Sequence, residues 1–149
     1  MITADTNVLV YVADDAAPLK QRVAVQIMRR LAERSQPIGL QVIGELQNAL
    51  RRKLRHPPAA AASAARDVLQ TFDIFPSTET AADEALTLMS TGRLSYWDAL
   101  LVISAGEAGI STLLSEDMQD GARFGGVEIV NPFSANGLSA RAREALEAL

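Results

Sequence analysis

Four carboxylates stand where the surrounding sequence gives little reason for a charge. Asp5 interrupts the apolar opening run from Ile2 to Tyr11 and is followed at once by Thr6 and Asn7. Glu45 lies within a stretch whose Val42, Leu46, Leu50 and Leu54 mark a buried helical stripe. Asp98 follows Tyr96 and Trp97, and Asp117 comes just after the apolar run Thr112 to Ser115. A buried, ionised carboxylate costs several kcal/mol unless a partner or a metal compensates it. Side-chain oxygens without nitrogen or sulfur donors select hard cations such as Mg²⁺ or Mn²⁺ over zinc. Each acid also has a plain structural reading. Asp5 could form an Asx-turn or cap a helix, Asp98 could complete a capping box with Ser95, Asp117 could be a loop residue, and Glu45 a favourable charge near a helix's positive end.

Other chemistries are poorly provided for. The chain has no cysteine, so disulfides, thiolate zinc sites and thiol nucleophiles are excluded, and a reducing compartment is the natural expectation. The single histidine, His56, ends a basic stretch, and serines such as Ser95 and Ser115 have no histidine to activate them. General-base work would fall to carboxylates or to water activated by a cation. No glycine-rich phosphate loop precedes a helix: Gly39 and Gly44 are isolated, and Gly125-Gly126 leads into a strand pattern. A formal net charge of −4 argues against a general nucleic-acid coat protein, though not against a nuclease whose acids hold cations. The run Arg51 to His56 is either a solvated helix face or a track for phosphates. Trp97 reads better as a packing anchor than as a platform for a base.

The elements that must position these groups alternate between strand and helix. A short strand through about Asp5 passes into a helical turn. Pro18 opens a helix with Leu19, Val23, Ile27 and Leu31 on one face, and Pro37 to Leu40 is a second strand. The Val42 to Leu54 helix stops at Pro57-Pro58, and the alanine-rich Ala59 to Thr71 follows. Phe72 to Phe75 alternates as a strand. Thr78 to Ser90 is a helix with Ala82, Ala85, Leu86 and Met89 inward, and Ser95 opens another with Leu101, Val102 and Ala105 buried. Thr112 to Ser115 and Val127 to Val130 are strands, and Ser139 caps a terminal helix. This order predicts an α/β sandwich around a mostly parallel sheet, with ligands at the carboxyl ends of its strands. All four acids would then face one edge. At 149 residues and 48% hydrophobic, one domain suffices. No apolar stretch approaches a membrane span and no basic leader precedes a long apolar run, so the expectation is a cytoplasmic chain without a membrane partner.

The acids in their settings resemble a known family. Asp5-Thr6-Asn7, Gly44-Glu45-Leu46-Gln47-Asn48-Ala49-Leu50, Tyr96-Trp97-Asp98-Ala99-Leu100 and Ser115-Glu116-Asp117-Met118-Gln119-Asp120-Gly121 look like the motifs of PIN-domain ribonucleases, most of all VapC-type toxins of toxin–antitoxin pairs. The likeness runs from Met1 to about Phe133, leaving residues 134–149 as a helical extension of the same domain. It implies a PIN-like three-layer sandwich in which Asp5, Glu45, Asp98 and Asp117 gather one or two Mg²⁺ or Mn²⁺ ions and carry RNA hydrolysis. Asp120 would lie at the margin of the site, and Thr6, Asn7 and Ser115 would support the acids from behind. Arg51, Arg52, Lys53 and Arg55 would meet RNA. A homodimer and a cognate antitoxin, whose C-terminal segment enters the groove, are further expectations of the resemblance.

Two rivals remain on sequence grounds. A receiver-like signalling domain also pairs an early acid with Mg²⁺, but needs an aspartate after the third strand and a lysine after the last. This sequence has Pro76-Ser77-Thr78 at the first place and no lysine beyond Lys53. A PIN fold kept only as a binding module, without catalysis, is the other.

Overall fold

The apolar opening run becomes a strand and a helix joined at Asp5. In the computed structural model, which describes residues 1–149, β1 (Ile2–Ala4) is wholly buried and α1 (Thr6–Val12) starts one residue after it ends. Strand β4 (Thr112–Leu114) lies beside β1 in parallel, with Ala4 opposite Leu114. Strand β6 (Val127–Val130) continues the sheet in parallel, with Leu114 opposite Val130. The ladder extends past the strands, since Asp5 N donates to Leu114 O at 3.0 Å and Ser115 N to Val130 O at 3.0 Å. Asp5 and Ser115 therefore leave the sheet side by side at its carboxyl edge.

An antiparallel edge strand, β5 (Arg123–Phe124), completes the order β1-β4-β6-β5. It was not foreseen from the sequence. Gly125 and Gly126, both at positive φ (54° and 82°), turn the chain tightly from β5 into β6, a geometry that glycine adopts at little cost. The mostly parallel central sheet expected from the sequence is present, but two of the expected strands stand outside it. β2 (Ile38–Gly39) and β3 (Ile74–Phe75) pair in parallel with each other as a separate two-stranded unit. Two-residue strands carry too few side chains to specify more. A Cβ on Gly39 would meet Leu101 Cδ1 and Phe75 Cζ at 3.0 Å each, so glycine lets β2 lie this close without either side chain giving way.

Helices cover the sheet in an α/β sandwich. In α2 (Pro18–Glu33) the stripe Val23, Ile27 and Leu31 is buried as its period requires. Helix α1 packs on α2 and on α3 (Leu40–Arg52), and α3 packs on α4 (Pro58–Thr71). On the other side α5 (Glu79–Ser90) packs against α6 (Tyr96–Glu107). Helix α6 is buried on every side from Ala99 to Ala105, more deeply than the single face read from the sequence. Burying such a run supplies much of the drive for folding, at about 25 cal/mol per Å² of apolar surface.

Other expectations shift. The inward side of α5 is Ala81 and Ala85, whereas Leu86 and Met89 point outward, Leu86 being 51% exposed. Alanines leave α5 close to its neighbour, and the larger side chains would not fit there. Helix α3 ends at Arg52, short of Leu54, and Arg55 takes a positive φ of 60° in the turn before Pro57. A small hairpin, β7 (Phe133–Ser134) with β8 (Gly137–Leu138), then leads into α7 (Ala140–Glu147). Ser139 caps α7 by accepting from Ala142 N at 3.2 Å. Helix α7 docks on α2, where Arg30 Nε donates to Leu146 O at 3.1 Å. No helix is long and apolar enough to cross a membrane.

Candidate functional site

Sheet register places Asp5, and its local chemistry fixes it. As the N-cap of α1 it accepts from Asn7 N (3.1 Å) and Val8 N (3.4 Å) through Oδ1, satisfying two of the helix's free donors. Its Oδ2 accepts a hydrogen bond from the fully buried Ser115 hydroxyl. Asp5 is only 6% exposed. Burial is the main cause that pushes its pKa from 3.8 up to about 7, and the Asp117 charge adds to the rise. The Ser115 hydroxyl and the backbone amides of Val8 and Asn7 work in the opposite direction. The cap reading and the site reading of Asp5 thus hold together, since one oxygen serves the helix and the other faces Ser115.

The remaining acids reach the same place by three other routes. Glu45 stands in the second turn of α3, where Thr6 Oγ1 donates to its Oε2 at 2.7 Å and Gln41 Nε2 donates to its Oε1. Asp98 sits in the first turn of α6. Its backbone N–H donates to Ser95 Oγ (3.2 Å), and the Ser95 hydroxyl donates to its Oδ2 (2.8 Å), a closed cap of the expected spacing. Asp117 follows β4, with its N–H donating to Ser115 Oγ at 3.3 Å and Asn7 Nδ2 donating to its Oδ2. Burial first, then the negative charges of Glu116 and Asp98, raise the Asp117 pKa, while Lys53 and Lys20 oppose them.

Asp5, Glu45, Asp98 and Asp117 line one open cavity of about 400 Å³, together with Thr6, Asn7, Gln41, Asn48, Arg52 and Lys53. None of the four acids forms an ion pair with a lysine or arginine. The expected tight cage is not formed, because no three carboxylates stand close enough to hold one ion together. Like charges repel across the cleft, and each carboxylate instead accepts from a neutral neighbour: Ser115, Thr6 with Gln41, Ser95 or Asn7. The donor set nevertheless fits a hard divalent cation. It is all oxygen, it carries uncompensated negative charge, and its buried member is held at a raised pKa that a nearby cation would lower. Gln41 adds a further oxygen. Its Nε2 faces two acceptors, Glu45 Oε1 and Trp97 O (2.9 Å for the latter), and its buried Oε1 has no donor.

Asp120 stands apart from this cavity. It accepts from Asn131 N at 2.9 Å and pairs with Arg141 Nη1 at 2.8 Å, so it ties the loop after β4 to α7. Of the basic run, only Arg52 and Lys53 line the cavity; Arg51, within α3, and Arg55, beyond its end, do not. Trp97 is 60% exposed, which overturns its reading as a packing anchor. Gln41 and Asn48 were missed. Their signal was their spacing from Glu45, one turn before and one turn after on the same helix face. Pro76 and Ser77 follow β3 directly, so the third-strand aspartate that a receiver-like domain would need has no counterpart.

Comparison with solved structures gives the same architecture. A toxin–antitoxin complex from Klebsiella pneumoniae aligns at 20% identity with a TM-score of 0.63, covering 89% of this chain and 98% of that one. The sarcin-ricin loop cleaving toxin VapC20 of Mycobacterium tuberculosis aligns at 21% identity and a TM-score of 0.58, covering 81% of this chain and 91% of that one. FitAcB from Neisseria gonorrhoeae aligns at 20% identity and a TM-score of 0.65, covering 89% and 98%. At such identities the likeness concerns the fold. A search of curated protein sequences finds no significant match. The sequence model of the PIN domain matches residues 2–120, a span that contains every acid of the cavity, and the chain therefore belongs to the PIN-domain family.

Proposed function

We propose that the protein is a metal-dependent endoribonuclease of the VapC type, the toxin of a toxin–antitoxin pair, with Asp5, Glu45, Asp98 and Asp117 as the residues that hold Mg²⁺ or Mn²⁺. The observation that carries this reading is the shared cavity: four acids from four separate segments line it, and no cationic side chain pairs with any of them. A divalent ion bound there would neutralise charge on a phosphodiester and ease loss of a proton from water. The chain's own groups do the positioning. Ser115 and the α1 amides orient Asp5, Thr6 orients Glu45, Asn7 orients Asp117 and Ser95 orients Asp98. Arg52 and Lys53 supply positive charge at the lip for the phosphate backbone.

Structural neighbours solved as toxin–antitoxin complexes support an antitoxin as partner. A homodimer and a cytoplasmic setting belong to the same reading. Purified protein with Mg²⁺ or Mn²⁺ should cut RNA, and Asp5→Asn or Asp98→Asn should abolish cutting while the circular dichroism spectrum is kept. Cleavage that persists in both variants and in chelator refutes the proposal. Antitoxin capture without RNA cleavage at any metal concentration would mark a binding module instead.

A further inference from the structure

Beside the acid cavity lies a second cleft, of about 680 Å³, walled by Leu40, Gln41, Gly44, Ser77, Trp97 and Leu100. The two clefts are continuous, since Gln41, Glu45 and Asn48 line both. They differ in charge. Arg52 and Lys53 stand in the first, whereas no lysine or arginine lines the second. The second holds the most exposed large apolar side chain of the protein, Trp97 at 60%, with Leu40 at 52%. A side chain holds the Trp97 backbone, and one ring borders the indole. The half-buried Tyr96 ring meets it edge-on, with centroids 5.2 Å apart at 71°, and Gln41 Nε2 holds the Trp97 carbonyl at 2.9 Å. At Gly44 a side chain would find nothing within 4 Å, so the floor beside the indole is open.

We infer that Trp97 is a stacking platform for one unpaired base of a single-stranded RNA whose phosphate lies over the acid cavity. The inference rests on the ribonuclease reading and deepens it. Exposing an indole to water is unfavourable, and a flat base face covers it without requiring a particular sequence. The Asn48 amide and the Ser77 hydroxyl around it suit the polar edge of a base better than an apolar protein face. Charge sorts the nucleotide in the same sense, with phosphate towards Arg52 and Lys53 and base towards the cleft that no lysine or arginine lines. A base inside a duplex has both faces occupied by its neighbours and offers none to Trp97.

Trp97 is the only tryptophan in the chain, so its fluorescence reports directly on this position. The full-length protein is titrated in Ca²⁺ buffer with a short single-stranded RNA, with the same RNA annealed to its complement, and with a strand of abasic sites. The expected result is strong quenching by the intact single strand and little by the other two. With Mg²⁺ present, Trp97→Ala should raise KM for single-stranded RNA roughly tenfold or more, the range expected for one stacked base, with a smaller change in kcat. Trp97→Phe should restore most of the loss. Equal quenching by the abasic strand, an unchanged KM in Trp97→Ala, or a Trp97→Ala protein whose altered property is its sedimentation mass would overturn the inference, the last by assigning the indole to a contact between copies of the chain. Quenching without any RNA cleavage would leave the stacking subsite standing and remove the ribonuclease. Cleavage without quenching would do the reverse.

Discussion

Two neighbouring residues, Glu116 and Asp117, show how differently one loop can treat its acids. Glu116 accepts from Lys20 Nζ at 2.6 Å and from the Tyr11 hydroxyl at 2.5 Å, and Lys20 also lies 4.6 Å from the Tyr11 ring centroid. Four residues after Glu116, Asp120 is clamped by Arg141, which also holds Glu128. Those acids are neutralised by built-in cations and tie α1, α2 and α7 to the sheet edge. Asp117, with Asp5, Glu45 and Asp98, has only neutral donors and faces the cleft. Compensated acids hold this fold together. Uncompensated ones are left free to take a charge from outside.

The sharpest way to break that contrast is catalytic. Asp5→Asn or Asp98→Asn should lower RNA cleavage by about a thousandfold or more, as loss of a principal charge-stabilising group does, whereas Asp120→Asn should leave it within about twofold, read by initial rates on one substrate. Similar losses in all three would erase the distinction. The next effect is on ligand-linked stability. At about a hundredfold excess over its dissociation constant, Mg²⁺ or Mn²⁺ should stabilise the protein by about 2.7 kcal/mol and raise Tm accordingly, with a much smaller gain in Asp5→Asn.

Asp5 should also behave in the metal-free protein as an acid whose burial is unfavourable. Its pKa is raised from 3.8 to about 7, so the folded state holds the proton more tightly than the unfolded state. Its stabilising contribution is complete below about pH 4 and is lost as pH rises to about 7. Asp5→Asn, which removes the charge and keeps the shape, should therefore stabilise the metal-free protein by about 4 kcal/mol at pH 8 and hardly at all at pH 4. Equal denaturation midpoints at pH 8 would count against an uncompensated Asp5. Glu116→Gln should have the opposite sign, a loss of about 1 kcal/mol at neutral pH, because it breaks bonds to Lys20 and Tyr11. The Tyr11 pKa is raised by burial and by its bond to Glu116, and that of Lys20 by its bonds to Glu116 and Tyr11. Both folded-state protons are held more tightly, so the weakest effect should be a decline in stability above about pH 10 that Glu116→Gln diminishes.

Much of this arrangement was readable from residue type and spacing. Asp5 inside an apolar run, the Ser95–Asp98 cap and the Leu19 to Leu31 period each carry a local signal that tertiary structure did not override. What escaped had no such signal. β5, β7 and β8 are two residues long, and their existence depends on turns and partners. The inward face of α5 was misplaced because alanine and leucine both suit a helix, and only the proximity of α6 decides which one fits. Glu116 and Asp117 are indistinguishable in sequence. Their different fates depend on Lys20 and Tyr11, about a hundred residues away in the chain, which no local pattern reports. Trp97 misled because tryptophan is usually well covered, and its burial depends on what stands opposite.

Two glycines, one capping α3 and one inside it, differ in the room around them. Gly39 is wedged between the side chains of Leu101 and Phe75, and any larger residue there would press on both. Gly44 borders the Trp97 cleft and meets nothing. Variation at Gly44 can reshape what the neighbouring cleft admits while the acids keep their places. One position thus has room for a side chain and the other has none to spare.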